Sequence, residues 1–255
     1  MKPLKNIICL LIATLLLNSC GVTYPKEDIV PDLKELVKKE CNQDSKVSVV
    51  GKTLYLDMQL DGLTSKDQET ASQAIHKASV AASAAVRVIL SSDSDIKYMV
   101  TTAYDPGKNV VFRIVNDIDD IKSFRYGRIS RSDFESRNLL EITGSPVAAT
   151  MINDRHDITE GEYVGRLLVS QMNMISRTNP MFGALISMLQ LQYVGIDSRT
   201  LILLVAEPAV NARVVPTIKN ILHDELQTYS KKYNDPFDEI KVVTFKGETV
   251  MRVSL

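Results

Sequence analysis

The sequence predicts an α+β protein that contains two α-ββ-α-ββ units, with helices packed on antiparallel sheets and a helical linker between the units. Residues 53–61 alternate apolar and polar side chains, which is typical of an antiparallel strand with one face in water. Residues 71–89 carry apolar side chains at intervals of four and three, which indicates a long helix. The order helix, hairpin, long helix, hairpin then recurs, which indicates an internal repeat.

The first unit is predicted over residues 29–115. Pro31 suits the first turn of a helix, and Gly51-Lys52 supplies the turn of a hairpin. The second strand of that hairpin is expected to place Tyr55 and Asp57 on its solvent-facing side. The predicted elements are a helix ending at about residue 41, strands at 46–50 and 53–61, a helix at 64–91, and strands at 95–104 and 110–115.

The helix predicted at 64–91 has the clearest pattern in the chain. Thr64 or Ser65 is expected to cap its N-terminus. Small side chains on its buried face would let the helix backbone approach a sheet closely. The residues expected on that face are Ala71, Ile75, Ala78, Ala82, Ala85 and Ile89.

Residues 116–158 are predicted to form the helical linker. The segment is polar and is expected to be helical to about residue 141. Gly127 would end a first helix, and Ser130 with Asp133 would cap a second. The boundary with the second unit is expected within residues 143–157, which are rich in turn-forming residues.

The second unit is predicted over residues 159–255. Thr159 with Glu162 forms a capping box that opens its first helix. Residues 200–206 are apolar on both faces, so they are expected to form a central, covered strand. The predicted elements are helices at 159–176, 181–189 and 212–233, and strands at 192–195, 200–206, 239–245 and 249–255.

The N-terminus has the composition of a secretory signal. Lys2 and Lys5 precede an apolar run at residues 7–17, and small or polar residues then lead to Cys20. The run is too short to cross a bilayer, which requires roughly 20 apolar residues. The sequence therefore predicts export from the cytoplasm.

Leu17-Asn18-Ser19-Cys20 resembles the lipobox of bacterial lipoproteins. The resemblance implies cleavage before Cys20, a signal peptide at residues 1–19, a lipid on the Cys20 sulfur and a tether at residues 20–28. Several acyl chains on one residue anchor strongly, since each buried methylene contributes about 0.8 kcal/mol. Gly21 is not the aspartate that retains lipoproteins in the inner membrane. The resemblance therefore implies the outer membrane, facing the periplasm, with the membrane as one partner.

Composition limits the other partners and the disulfides. The formal net charge of −1 gives no overall electrostatic attraction to nucleic acid, so no nucleic acid partner is expected. Cys9 would leave with the signal and Cys20 would carry lipid, which leaves Cys41 alone and without a disulfide partner. Helical spacing places Cys41 on an apolar side, so it is expected to be a buried packing residue.

The repeated order of elements resembles the BON domain of bacterial envelope proteins, some of which are lipoproteins with two copies. The likeness covers topology over most of the chain beyond the signal. It implies a small envelope module with helices on a sheet. No functional residue can be carried over to this sequence.

The sequence contains none of the common nucleotide-binding or hydrolase motifs. Asp154, His156 and Glu160 are the best acid/base candidates, because a histidine among carboxylates can move protons near neutral pH. The competing interpretation is an exposed helix cap, because acids are favoured at a helix N-terminus. No cofactor is expected, and no metal site is expected because zinc needs more histidine or cysteine ligands.

Three functions remain open at this point. The first is a membrane-anchored, periplasm-facing lipoprotein that acts as a non-enzymatic binding or scaffold module, with a possible envelope protein partner. The second is an envelope hydrolase that uses Asp154, His156 and Glu160. The third is a carrier of a small apolar ligand, held in a groove between the helix at 64–91 and its sheet.

Overall fold

The computed structural model describes residues 24–144, 153–178, 191–205, 215–233 and 237–254. Cys20 and the helix predicted at 181–189 lie outside the described residues. The chain is an α+β protein with two strand-rich units joined by helices, as predicted. None of the described helices is long and apolar enough to cross a bilayer.

The first unit contains one five-stranded sheet, sheet 1, and the second contains one four-stranded sheet, sheet 2. A 3-10 turn at Lys26–Asp28 precedes the first helix. The first part of the chain forms α1 (Ile29–Cys41), β1 (Ser45–Val50), β2 (Thr53–Gln59), α2 (Gln68–Leu90), β3 (Tyr98–Asp105), β4 (Val110–Asp117), α3 (Ile118–Arg125), α4 (Arg131–Ser136) and β5 (Leu139–Gly144). The second part forms α5 (Glu160–Thr178), β6 (Gln192–Asp197), β7 (Thr200–Val205), α6 (Val215–Lys232), β8 (Glu239–Thr244) and β9 (Thr249–Ser254).

Both sheets are mixed, and the prediction of purely antiparallel sheets is wrong in this respect. Within each hairpin the strands are antiparallel, but β2 pairs parallel with β3, and β7 pairs parallel with β8. A parallel pair needs a long crossover, which α2 and α6 supply. The alternation of side chains shows that one face of a strand is covered, but it does not determine the direction of the neighbouring strand. The antiparallel prediction therefore failed where one hairpin pairs with the next.

The segment predicted as a helical linker is helical only in part. The helices α3 and α4 are present, and Ser130 and Asp133 form the predicted capping box. Gly127 follows α3 with a φ of +67°, a conformation that glycine adopts without strain. Residues 139–144 instead form β5, which pairs antiparallel with β4, so the prediction of helix to residue 141 is wrong.

The buried face of α2 agrees with the predicted face only in the second half of the helix, where Ala85 and Ile89 are buried as predicted. Ile75, predicted to face the sheet, is 55% exposed, whereas Ala74 and Ala81 are buried. The N-cap is Asp67, whose carboxylate accepts a hydrogen bond from the Thr70 amide, rather than Thr64 or Ser65. Because α2 also packs against α1, its buried stripe is turned towards that helix, and the side chains around Ile75 are left outside the core.

Two cores hold the molecule together. The outer core lies between one face of sheet 1 and the helices α1 and α2, and it includes Cys41, which is buried as predicted. The inner core joins the opposite face of sheet 1 to α5, α6 and sheet 2. The prediction that Tyr55 and Asp57 face water is therefore wrong, because their face of β2 is covered by the second half of the chain.

Helix α5 contacts both sheets. Tyr163 packs against Tyr98 of sheet 1 with ring centroids 5.1 Å apart, and its hydroxyl donates to the Arg137 carbonyl. On another side of the helix, the Cα atoms of Gly161 and Gly165 approach side chains of sheet 2. This close approach needs residues without a side chain, and it ties the two units into one core.

Candidate functional site

Two of the predicted acid/base candidates, Asp154 and His156, belong to a short connection, here called the strap (154–158), which crosses the covered face of sheet 1. The third, Glu160, is the first residue of α5. The Tyr55 hydroxyl donates to the His156 carbonyl oxygen at 2.5 Å and accepts from the His156 amide at 3.1 Å. These bonds fix the strap backbone against β2. The strap is therefore positioned by residues about one hundred positions away in sequence.

Asp157 closes the strap onto the β1–β2 turn. Its carboxylate accepts hydrogen bonds from the Lys52 amide at 2.8 Å and from the Thr53 hydroxyl at 3.3 Å. Gly51 has a φ of +57°, and a Cβ atom at this position would lie 2.2 Å from the Asp157 carboxyl group. The turn thus needs glycine both for its backbone conformation and for the space that Asp157 occupies.

Arg155 reaches the polar residues on the covered face of sheet 1. It donates to Asp57 Oδ2 at 2.5 Å and to the Ser48 hydroxyl at 2.7 Å. Burial raises the pKa of Asp57, and the nearby Arg155 and Arg113 oppose that shift. The positive charge of Arg155 therefore offsets part of the cost of burying the Asp57 carboxylate at this interface.

His156 lies between two carboxylates. Its Nδ1 is 3.1 Å from Asp154 Oδ1, and its Nε2 is 2.9 Å from both carboxylate oxygens of Glu162. Glu160 points elsewhere and accepts a hydrogen bond from Lys97 at 3.0 Å. The structure thus brings together two of the three predicted acid/base residues and replaces the third with Glu162.

An ionic network continues from His156 into the unit interface. Arg166 donates to Glu162 Oε1 at 2.9 Å and to both oxygens of Glu141 at 2.5 and 2.6 Å. Arg113, which is buried, stands opposite Glu141 in the pairing of β4 with β5. Arg166 and Glu141 were not among the residues predicted for this site. The four-residue spacing of Glu162 and Arg166 indicates a helical ion pair, whereas the polar surroundings of Glu141 predicted a helix there.

This arrangement is suited to holding the two units together. Both ring nitrogens of His156 contact carboxylates, so neither is directed at open space where it could activate water for hydrolysis. Within the described ranges, no group of three or more His, Cys, Asp and Glu side chains could hold a metal ion. The strap connects sheet 1 to α5 through charge and hydrogen bonds.

No protein-family model, no curated protein and no solved structure matches this chain. The chemistry of the molecular surface is therefore the remaining guide to function. Two cavities on sheet 1 are relevant, and they share no lining residue.

The first of these cavities lies between α2 and the outer face of β3, β4 and β5, and is here called the apolar groove. Its volume is about 300 Å³. Exposed apolar side chains surround it, including Ile75 of α2, Ile114 of β4 and Leu140 of β5, which is 49% exposed. The other lining residues are Leu63, Ala78, Ser79, Ala82, Thr101, Ala103 and Phe112.

The apolar groove follows from the way the helices cover sheet 1. The crossover helix α2 connects β2 with β3, and α1 packs beside α2 and against β1. On this face Ile114 of β4 and Leu140 and Ile142 of β5 are left exposed. Small residues on the adjacent side of α2, such as Ala78 and Ala82, leave space between the helix and the sheet. A cavity is therefore present between α2 and its sheet, the place where the sequence left ligand carriage open as one of three functions.

The geometry around His156 predicts that the contact between the units depends on pH. Partial burial by itself lowers the pKa of His156, but hydrogen bonds and charge from Glu162, and then from Asp154, outweigh it and raise the pKa above 6.5. A raised folded-state pKa means that the stabilisation is complete below pH about 6.5 and is lost as the pH rises through the folded-state pKa.

We expect His156→Gln to destabilise the protein at pH 6 and to have a smaller effect at pH 9. Because the imidazole is 41% exposed, the difference should stay below about 1 kcal/mol. Urea denaturation of both proteins at several pH values would measure it. If the free energy of unfolding changed with pH in the same way for both proteins, His156 would have no higher proton affinity in the folded state than in the unfolded state.

Proposed function

We propose that the protein is a lipid-anchored, non-enzymatic binding protein of the bacterial cell envelope that carries an apolar ligand in the apolar groove. The anchor would be the lipid on Cys20, and the protein would face the periplasm from the outer membrane. The apolar groove is the observation that carries this proposal. Contiguous exposed apolar surface on a soluble domain is commonly a site of binding.

The composition of the apolar groove supports an acyl chain as the ligand. Its walls are aliphatic or aromatic except for the hydroxyl groups of Ser79 and Thr101. The Thr101 hydroxyl is buried and has no hydrogen-bond partner within the described part of the chain. A volume of about 300 Å³ lies at the lower end of the range for small-molecule pockets, roughly 300–1,000 Å³. This space suits one flexible chain better than a rigid polycyclic ligand.

The residues that line the apolar groove also favour ligand binding over catalysis. No described histidine, cysteine or acidic residue lines it. Nothing in its walls could act as a nucleophile stronger than a hydroxyl group. Binding in the apolar groove would rest on removal of apolar surface from water, at about 25 cal/mol per Å².

The test is photo-crosslinking of the full-length protein in its membrane with a diazirine-bearing palmitate. Adducts should map to peptides that contain residues 75–82 and 112–114. Ala82→Phe fills the apolar groove, and it should reduce these adducts by more than about tenfold, which corresponds to about 1.4 kcal/mol.

Ser83→Phe is the matched control, because Ser83 neighbours Ala82, is exposed and lies outside the lining of the apolar groove. It should label like the wild type. Equal labelling of wild type and Ala82→Phe would contradict the proposal. Crosslinks from Leu140 to another envelope protein, without palmitate adducts, would favour the scaffold function instead.

A further inference from the structure

A second cavity lies at one end of sheet 1, and we propose that it binds a neutral saccharide. This cavity, here called the end pocket, has a volume of about 680 Å³. Its walls come from the ends of β2 and β3, the start of β1 and the first half of α2. The polar and charged residues that line it include Ser45, Lys46, Asp57, Asp61, Lys77 and Tyr104.

The topology of the sheet accounts for the position of the end pocket. Strands β2 and β3 are parallel, so their carboxyl ends meet at the same edge of the sheet. Asp57 lies near the end of β2 and Tyr104 near the end of β3, and α2 begins above this edge. In open α/β sheets, ligands bind outside the carboxyl ends of parallel strands. The end pocket occupies the corresponding place in sheet 1.

Some hydrogen-bond donors and one acceptor in the end pocket are not used by any described side chain. Lys46, Lys77 and Asp61 form no side-chain hydrogen bond or ion pair with any described residue, and all three line the cavity. The Ser45 hydroxyl is buried and also lacks a hydrogen-bond partner in the described ranges. Asp57 is already engaged by Arg155. A ligand in the end pocket would therefore meet ammonium donors, a carboxylate acceptor and a hydroxyl group.

This mixture selects against ligands of a single charge. Asp44 and Asp57 also line the cavity, but they are paired with Lys38 and Arg155. Of the remaining charges, Asp61 would repel an anion, and Lys46 and Lys77 would repel a cation. A sugar hydroxyl both donates and accepts, so neighbouring hydroxyls can pair with an acid and an ammonium group without a net charge being buried. The phenol ring of Tyr104 offers an apolar surface to the C–H face of a sugar ring.

The volume matches a ligand of more than one sugar ring. A cavity of about 680 Å³ lies within the usual range for ligand pockets, roughly 300–1,000 Å³, and is more than twice the size of the apolar groove. Since the two cavities share no lining residue, saccharide binding can be tested separately from acyl-chain binding.

Saturation-transfer NMR and calorimetry of the full-length protein in detergent, with N,N′-diacetylchitobiose as the probe, would test the proposal. We expect binding with a dissociation constant near about 1 mM, which is ordinary for one exposed polar pocket. Lys77→Gln and Asp61→Asn should each weaken it by about tenfold, since each removes a charge-assisted hydrogen bond. Both residues are exposed, so neither change should disturb folding.

Lys34→Gln is the control, because Lys34 is an exposed lysine of α1 that does not line the end pocket. It should leave binding unchanged. The proposal is overturned if chitobiose does not bind the wild type, or if both pocket variants bind it as well as the wild type does. Displacement of chitobiose by glycylglycine or inorganic phosphate would also overturn it in favour of a charged ligand.

Discussion

Replacing Arg166 with methionine is expected to lower the free energy of unfolding by about 3–5 kcal/mol, the usual cost of removing one partner from a buried ionic network. The Arg166 side chain is 14% exposed and lies between Glu141 and Glu162. Methionine would fill similar space, but it would remove the guanidinium that lies between Glu141 and Glu162. The remaining cations nearby, Arg113 and the partly exposed His156, do not replace its hydrogen bonds to both carboxylates. Urea denaturation followed by circular dichroism would measure the loss.

Arg131→Met is the matched control for this change. Arg131 also pairs with a glutamate four residues away, Glu135, but both side chains are largely exposed. Such a pair is screened by water, so the control should not change stability measurably. Equal effects of the two substitutions would contradict a central role for Arg166.

Replacing Gly165 with leucine is expected to destabilise the protein by about 3 kcal/mol or more, at the upper end of the cost of overpacking a core. A Cβ atom at this position would lie 2.7 Å from Leu201 Cδ1 and 2.9 Å from Tyr193 Cε2. The gain in helix propensity is only about 1 kcal/mol, so the clash dominates. The change would force α5 away from sheet 2.

Gly195→Leu is the control for this substitution. A Cβ atom at Gly195, in the edge strand β6, would meet no heavy atom within 4 Å. The same leucine should therefore be tolerated there or be slightly stabilising. Thermal unfolding of both variants would distinguish the two sites. A Gly165→Leu variant as stable as Gly195→Leu would show that α5 is free to move off sheet 2.

Several features of this protein could be predicted from local sequence patterns. Alternation along residues 53–61 identified a strand, and the spacing of alanines identified the long helix α2, because both patterns follow from the geometry of a single element. The capping box of Ser130 and Asp133 was predicted for the same reason, since all of its atoms lie within four residues. The small side chains of α2 were compatible with either close packing or a groove, and the sequence did not distinguish the two.

The candidate site was predicted only in part. The proximity of Asp154 and His156 was apparent because they are two residues apart, and the Glu162–Arg166 pair had a readable helical spacing. Glu141 could not be included, because its polar surroundings favoured helix over strand. Its position opposite Arg113 depends on the pairing of β5 with β4.

Local sequence patterns were sufficient to predict the α+β class, most of the helices and strands and the repeated order of elements. The parallel pairing of β2 with β3, the burial of the second face of β2 and the position of the strap depend on contacts between distant segments. Thr53 meets Asp157 across 104 residues, and no local pattern encodes such a contact. A strand's own periodicity shows that it has two faces, but what covers each face depends on the distant segments that compete to bury their apolar surface against it.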